Sequence, residues 1–424
     1  MIEHQYPIEI AWTDLETIVG PEYIRPASGT DLVDGLWPAK VVAPGTAQEV
    51  AKVLQYCSSA GLAVVPRGGG TKLGLGNRPE KADLILSTER LNRVVEHVWG
   101  DMTVIAEAGC TIESLQRAIQ PHRQRLAIDP LWPEKTTVGG LLATAESGTL
   151  RIRYGAVRDL VLGVEVALPD GSLIKAGGKV VKNVAGYDLT KLMIGSLGTL
   201  GVITRAAFRL HPVPVATATY SVTVAGAAEA TRLVLAILAS YVIYTGLQVR
   251  TDRSDRVTID VRFEGIPESL QDQREKLAQL AAGCDIAEST DDVWNARRHL
   301  FTGADSSVIC KCGVLPSQIG SLCDGIFRQA NATGTKATIV AQGTGLAEVR
   351  LDAGLLSLTK AVDGLRSEVD RLEGTLVVEQ CPTAMKESLD VWGTLKDAVP
   401  LMQQIKGKFD PARTLNPGRF VGAI

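Results

Sequence analysis

The sequence is poor in the residues that mark specialised surfaces. Aromatic side chains make up 5% of its 424 positions and the formal net charge is only −3, which excludes a basic nucleic-acid face and an acidic disordered tail. Histidine occurs five times, at His4, His97, His122, His211 and His299, with no two at a metal-ligating spacing. The seven cysteines lack the tight four-cysteine pattern of an iron–sulfur site, and their odd number favours reduced thiols in the cytoplasm. Cys310 and Cys312 would share one strand face, but no histidine or acidic residue stands at a ligand-like spacing, so buried packing is expected of them. The opening MIEHQYPIEIAW has neither the basic start nor the apolar core of a signal peptide, and none is expected. The apolar run from Leu233 to Tyr244 is well short of the roughly 20 residues of a membrane span and reads as buried helix passing into the next segment. What these absences leave is a small-molecule ligand.

The length points to two domains, or one with a large insertion. From Thr46, TAQEVAKVLQYCSSAG has a capping pattern at Thr46 and Glu49, apolar residues at Val50, Val53, Leu54 and Cys57, and Gly61 to close the helix. LAVVP is then a short buried strand. DLILS, RVVEHV and TVIAEAG predict further strands, TIESLQRAI a helix, and LVLGVEVALPDGSLIKAGG a hairpin turning at Pro-Asp-Gly. Past FRLHPVP the rhythm becomes β-α-β-β-α: TYSVTV, the helix 227–240, LQVR, RVTIDVRF, and the helix ESLQDQREKLAQLAA. A similar series follows in SVICKCGVLP, the helix 317–331, KATIVAQ, EVRL, a long helix to Leu372 and TLVVEQ. Two ferredoxin-like units sharing one antiparallel sheet, with helices on one face, would bury both apolar faces. The predicted class is α+β.

The stretch VVPRGGGTKLGLGN follows the first helix–strand unit. Its glycine spacing fails the dinucleotide fingerprint, because position 73 is leucine, and no P-loop pattern is present. Consecutive glycines can still turn successive amides toward one point, and Arg67 and Lys72 would add positive charge, so an anion such as a pyrophosphate is a suitable guest.

Further motifs stand in a fixed order: R-G-G-G-T, T-x-G-G-x-x-A-T, R-Y-G-x-x-R-D, G-Y-D-L-x-K-L, G-S-x-G-T-L-G and the closing FDPARTLNPG. This order resembles the FAD-binding domain of the vanillyl-alcohol oxidase family, also called the PCMH type, and within it the FAD-binding subunits of bacterial glycolate oxidase, akin to D-lactate and D-2-hydroxyglutarate dehydrogenases. The resemblance implies a PCMH-type FAD-binding domain over 1–215, an antiparallel-sheet cap over 216–385 and a segment, 386–424, returning to the first domain. It implies that Pro66, Arg67, Gly68, Gly69, Gly70, Thr71, Lys72, Leu73 and Gly74, with Thr137, Gly139, Gly140, Ala143, Thr144 and Gly148, wrap the diphosphate. Tyr154 and Gly155, of the third motif, are also implied to bind the cofactor; Gly201, Val202 and Ile203 would lie along adenine and ribose, and Asn416 would approach the flavin. Covalent members carry histidine where Thr71 stands, so non-covalent FAD is implied. Glu146, Ala145 and Ser147 replace the commoner A-T-N-A-G-G pattern, and Glu146 would repel a diphosphate. Gly69→Glu is expected to abolish FAD retention in a folded chain.

Oxidising a 2-hydroxy acid needs a base, cations for the carboxylate and a hydride acceptor. Catalytic relatives use H-x-x-G-D-G-N-x-H in the cap, which this sequence lacks. Arg297 and Lys311 resemble the residues that related dehydrogenases point at the substrate carboxylate, although with Arg298 adjacent a solvated helix face would also account for Arg297. The resemblance therefore implies a non-covalent FAD subunit of a glycolate oxidase-like complex, working with a catalytic flavoprotein subunit and an iron–sulfur subunit, cytoplasmic and peripheral at the membrane through its partners. A self-sufficient FAD-dependent 2-hydroxy acid dehydrogenase and a non-catalytic scaffold subunit are the alternatives.

Overall fold

A computed structural model describes residues 12–178, 188–304, 306–393 and 397–424. The Gly186-Tyr187 pair of the fourth motif, His4 and the start of the chain lie outside the described residues.

Four strands, β1 (Ile24–Pro26), β2 (Lys40–Val42), β3 (Val64–Arg67) and β4 (Leu84–Ser87), form a sheet in the order β1-β2-β4-β3, parallel except for the β1/β2 pair. The helix Ala47–Ser59 packs its Val50, Val53, Leu54 and Cys57 stripe against this sheet. Thr46 caps it by accepting from the Glu49 amide at 3.1 Å, and Gly61 beyond its end takes the left-handed φ of +66°. The Glu49 carboxylate reaches back to the Gly45 amide, one residue short of a reciprocal box.

The chain continues through β5 (Val94–Val98), β6 (Thr103–Glu107) and β7 (Gln124–Arg125), then β8 (Val161–Ala167), β9 (Leu173–Gly177), β10 (Val202–Arg209) and β11 (His211–Pro212). An antiparallel sheet forms in the order β5-β6-β10-β8-β9, while β7 pairs with β11. The β8–β9 turn is held by Asp170, whose carboxylate accepts from the Ser172 amide and hydroxyl, with Gly171 at φ +86°.

Eight further strands build one antiparallel sheet: β12 (Ala216–Val224), β13 (Gly246–Arg253), β14 (Arg256–Gly265), β15 (Asp285–Ser289), β16 (Val308–Gly313), β17 (Lys336–Gln342), β18 (Leu346–Asp352) and β19 (Thr375–Gln380). Their order is β15-β12-β14-β13-β17-β18-β16-β19. Helices Ala227–Leu238, Ile319–Thr333 and Leu355–Arg371 bury Leu233, Ile237, Leu322, Ile326, Val362 and Leu365 in one core with Val249, Ile259 and Val349 of the sheet. Cys310 and Cys312 belong to this core, and burial pushes the Cys310 thiol up to about 12, so both pack as small apolar groups.

The opposite face is polar, because period-2 alternation places Gln248, Asp260, Gln342, Glu348 and Lys311 there. Sequence patterning did not predict β15, which extends the sheet at its edge beside β12, or the two short helices that follow it over this face, Asp291–Asn295 and Ala296–Leu300. The Gln248 amide donates to the Val293 carbonyl, and the Trp294 indole to the Thr219 hydroxyl. Too short for a legible period, this strap is held by side-chain bonds to the sheet. After the helix Val399–Phe409 the chain runs beside β3, where Val64 donates to the Thr414 carbonyl at 2.7 Å and accepts from the Asn416 amide at 3.0 Å. No helix among the described residues is long and apolar enough to cross a membrane.

Candidate functional site

A cleft of about 830 Å³, partly open to solvent, lies where the glycine stretch after β3 meets the segment around the helix Val138–Thr144. The loops close on each other through missing side chains. A Cβ on Gly68 would collide with the Thr137 hydroxyl, and one on Gly69 with the Lys135 carbonyl. Gly69→Glu would therefore separate the loops as well as fill the cleft, so it cannot isolate FAD retention from folding as the sequence suggested.

The two segments differ in what they offer a ligand. Among the described residues, none of the amides from Gly68 to Lys72 donates to another group, whereas those of Leu73 and Leu75 bond within the loop. At the second segment the first helical turn is already committed: Val138 donates to the Cys110 carbonyl, Gly139 to that of Ala108, and Gly140 to the Thr137 hydroxyl at 3.2 Å. Free amides come from the first loop, and the second supplies the wall. An anion's oxygens suit five unpaired donors on consecutive residues.

Arg67 and Lys72, expected to add phosphate-binding charge, are engaged elsewhere. Arg67 pairs with the buried Asp31, whose carboxyl is held far below its usual range by Arg25 at 2.7 Å, with help from Ser28 and Arg67. Lys72 turns toward the eight-stranded sheet, 3.4 Å from Glu379 and over the Phe301 ring. Spacing could not reveal this, since Asp31 and Glu379 lie far from the loop in sequence.

Pro66, Gly70, Thr71, Leu73, Gly139, Gly140, Ala143, Thr144, Gly201, Val202 and Ile203 line the cleft together with Arg67, Gly68, Gly69, Lys72 and Thr137. Gly74, Gly148, Tyr154, Gly155 and Asn416 are not in its lining. Gly148 allows close approach to Asp129, which accepts from the Thr149 and Leu150 amides. Tyr154 donates to Glu264 at 2.7 Å and accepts from Arg125; Gly155, at φ +87°, sits against Asp159. Asn416 supports the wall from behind, its side-chain amide donating to the Leu197 carbonyl at 2.8 Å.

Sequence reasoning missed Thr88, Thr136, Ser196, Leu197, Gly198 and Arg419 as lining residues. Ser196 to Gly198 lay within a recognised motif; Thr88 carries no signal. Arg419 follows the closing NPG and is 3% exposed. Its guanidinium donates to the carbonyls of Lys72, Leu73 and Leu75 and to the Asn416 side chain, pinning the far end of the first loop. Burial lowers its pKa to about 10, although Asp34 opposes the shift.

Glu146 also lines the cleft, accepting from the Leu131 amide at 2.8 Å. Its charge acts on Lys72 and Arg297, so the repulsion expected toward a diphosphate is offset by adjacent cations. Arg297 and Lys311 come together here. Arg297 is buried and donates to Glu348 at 2.9–3.0 Å, and Lys311 is the Cα partner of Glu348 across β16 and β18. Lys311 also stands 3.7 Å from Glu379, which thus lies between Lys72 and Lys311. Burial would raise the Glu379 pKa, but Lys72, Lys311 and Arg297 outweigh it and bring it down to about 2. Arg297 is itself raised, since Glu348, Glu146 and Asp129 outweigh its burial. The glycine loop and the eight-stranded sheet thus meet in one cluster of alternating charge, buried at Arg297 and Glu348 and part-buried at Lys72, Glu379 and Lys311. Among the described residues no group of three or more His, Cys, Asp or Glu could hold a metal ion.

Comparison with known proteins agrees with this geometry. The family model of the FAD binding domain matches residues 38–177. Glycolate oxidase subunit GlcD of Bacillus subtilis is 26% identical over 90% of this chain and 89% of its own length. D-lactate dehydrogenase of Archaeoglobus fulgidus is 28% identical over 90% of this chain and 91% of its own. Among solved structures, an alkyldihydroxyacetonephosphate synthase superposes with a TM-score of 0.76 at 18% identity, over 98% of this chain and 86% of that one, which establishes a shared fold. The match over residues 38–177 gives this chain an FAD binding domain, and the superposition gives it the PCMH-type FAD-binding fold.

Proposed function

We propose that the chain is an FAD-dependent oxidoreductase of small 2-hydroxy acids and serves as the non-covalent FAD subunit of a glycolate oxidase-type complex. The cofactor unit would comprise 1–215 with the returning segment 386–424, and 216–385 the cap. The observation that carries the reading is the charged cluster at the edge of the cleft, where buried Arg297 and part-buried Lys311 and Lys72 share the acids Glu348 and Glu379. The amides of Gly68 to Lys72 would hold the diphosphate, with Thr71 leaving no side chain for a covalent tether. Bound FAD supplies the acceptor for the hydride.

The chain's own residues bind and orient the acid. Arg297 and Lys311 take its carboxylate, and Glu348, whose Oε2 has no partner, receives the hydroxyl proton. Glu379, held near 2 by its lysines, is too weak a base for that role. Similarity to GlcD along nearly its whole length supports a complex with a catalytic flavoprotein and an iron–sulfur subunit, which would keep this chain in the cytoplasm, peripheral at a membrane. A self-sufficient D-2-hydroxy acid dehydrogenase is the second reading, favoured by carboxylate-binding cations and a proton acceptor within one chain and by similarity to a D-lactate dehydrogenase.

Anaerobic addition of glycolate or D-lactate to the isolated flavoprotein tests the activity, and bleaching of the flavin bands is expected. Absence of bleaching both alone and in the presence of co-purified partners refutes it. Flavin and iron counts on material co-purified with tagged neighbours separate the subunit from the self-sufficient enzyme. Absence of flavin bands after reconstitution would leave the scaffold alternative.

A further inference from the structure

The sheet face beside Arg297 carries polar atoms that the ion pairs do not use. Gln342, 1% exposed, has no partner for either Oε1 or Nε2. Gln248, its Cα partner across β13 and β17, is fully buried; its Nε2 donates to Asp260 and the Val293 carbonyl, each at 2.8 Å, and its Oε1 is unpartnered. Glu348 gives Oε1 to Arg297 and leaves Oε2 without a partner. Register brings these atoms together. Glu348 faces Val340 on one side and Lys311 on the other, and Gln342 follows Val340 by two residues on the same face.

Buried polar atoms without hydrogen bonds are costly to keep from water, so this patch favours a polar occupant. If Arg297 and Lys311 take the ligand's carboxylate as proposed above, the unpaired atoms ask the rest of the ligand to accept from an amide and to donate to a carboxylate oxygen. A plain carboxylate cannot donate, and a plain alcohol cannot neutralise the cations. A 2-hydroxy acid presents both groups on adjacent carbons, and the tight seal around Gln342 limits it to a small one.

We propose that Gln342 is the specificity-determining residue of the site, its Nε2 donating to the ligand's 2-hydroxyl oxygen while that hydroxyl's proton points to Glu348 Oε2. Gln248 backs it, its free Oε1 available to the second Nε2 hydrogen. The inference rests on the 2-hydroxy acid reading above and adds the group that recognises the hydroxyl.

Anaerobic isothermal titration of the full chain, its FAD reduced beforehand so that no hydride can be accepted, with glycolate and with acetate, which lacks only the hydroxyl, tests it without turnover. The wild type is expected to prefer glycolate by about tenfold or more. Gln342→Leu should bring that preference near unity while leaving acetate affinity unchanged, and Gln342→Met, of equal length, serves as a second replacement. A glycolate preference retained in whichever variant melts like the wild type overturns the proposal, as does a wild type that does not distinguish the two acids. Flavin bleaching is scored separately: bleaching with the preference unaltered in the variants sinks Gln342 and spares the oxidoreductase reading, while a Gln342-dependent preference without bleaching does the reverse.

Discussion

Single side chains decide whether the glycine loop holds its shape, and Arg419 is the strongest case. Three loop carbonyls accept from one buried guanidinium, so its removal frees the loop end and leaves those carbonyls unpaired. Arg419→Ala should weaken FAD binding about a hundredfold or more, read from flavin fluorescence on dilution, and Arg419→Lys should recover part of it. A loss equal in both variants would mean that the fork geometry is irrelevant. Glu348→Gln argues separately: it removes the proton acceptor while keeping size and a hydrogen bond to Arg297. Flavin reduction by glycolate should fall by about 10²-fold or more with FAD content unchanged, and unaltered reduction would exclude Glu348 as the base. At this scale the sequence was a partial guide. The glycines that bring the loops together were readable because only glycine tolerates such contact. The pairing of Arg67 with Asp31 and of Lys72 with Glu379 was not, because each depends on a residue that only the fold brings near.

Among elements, the closing segment works as an added strand. Residues 414–416 bond to Val64 at the start of β3, from whose end the glycine loop leaves. Lys406 and Asp410 lock this segment: the ammonium reaches the Thr199 and Leu415 carbonyls, and the carboxylate accepts from Lys406 and from the Thr414 and Leu415 amides. Asp410→Ala strands a buried lysine and two amides, with an expected loss of about 3–5 kcal/mol in unfolding free energy and earlier FAD release on heating. A denaturation midpoint matching the wild type would show that the closing segment is dispensable. Most strands of both large sheets were legible because alternation and turn residues marked them. The strap from Asp285 to Leu300 was not, because a five-residue strand followed by two single-turn helices carries no period to detect.

At the scale of the whole molecule, the glycine loop and the eight-stranded sheet are joined by the Lys72–Glu379–Lys311 bridge, and this junction has a pH signature. The Glu379 pKa falls from 4.5 to about 2 in the folded protein, so the folded state holds this carboxylate ionised more firmly than the unfolded chain does. Its contribution is complete above pH 4.5 and is lost as pH falls from there toward 2. Protonation leaves two part-buried lysines without their shared counter-charge, which favours parting of the glycine loop and the eight-stranded sheet. On acidification across that window, flavin fluorescence should rise as FAD escapes before the helical signal collapses, because the core of the eight-stranded sheet does not depend on this bridge. Glu379→Gln should release FAD more readily at neutral pH and flatten the acid transition. An acid release curve of the same midpoint and steepness in that variant would show that other carboxylates govern the junction, and Asp31, the other strongly depressed acid at the loop, would then be the group to replace.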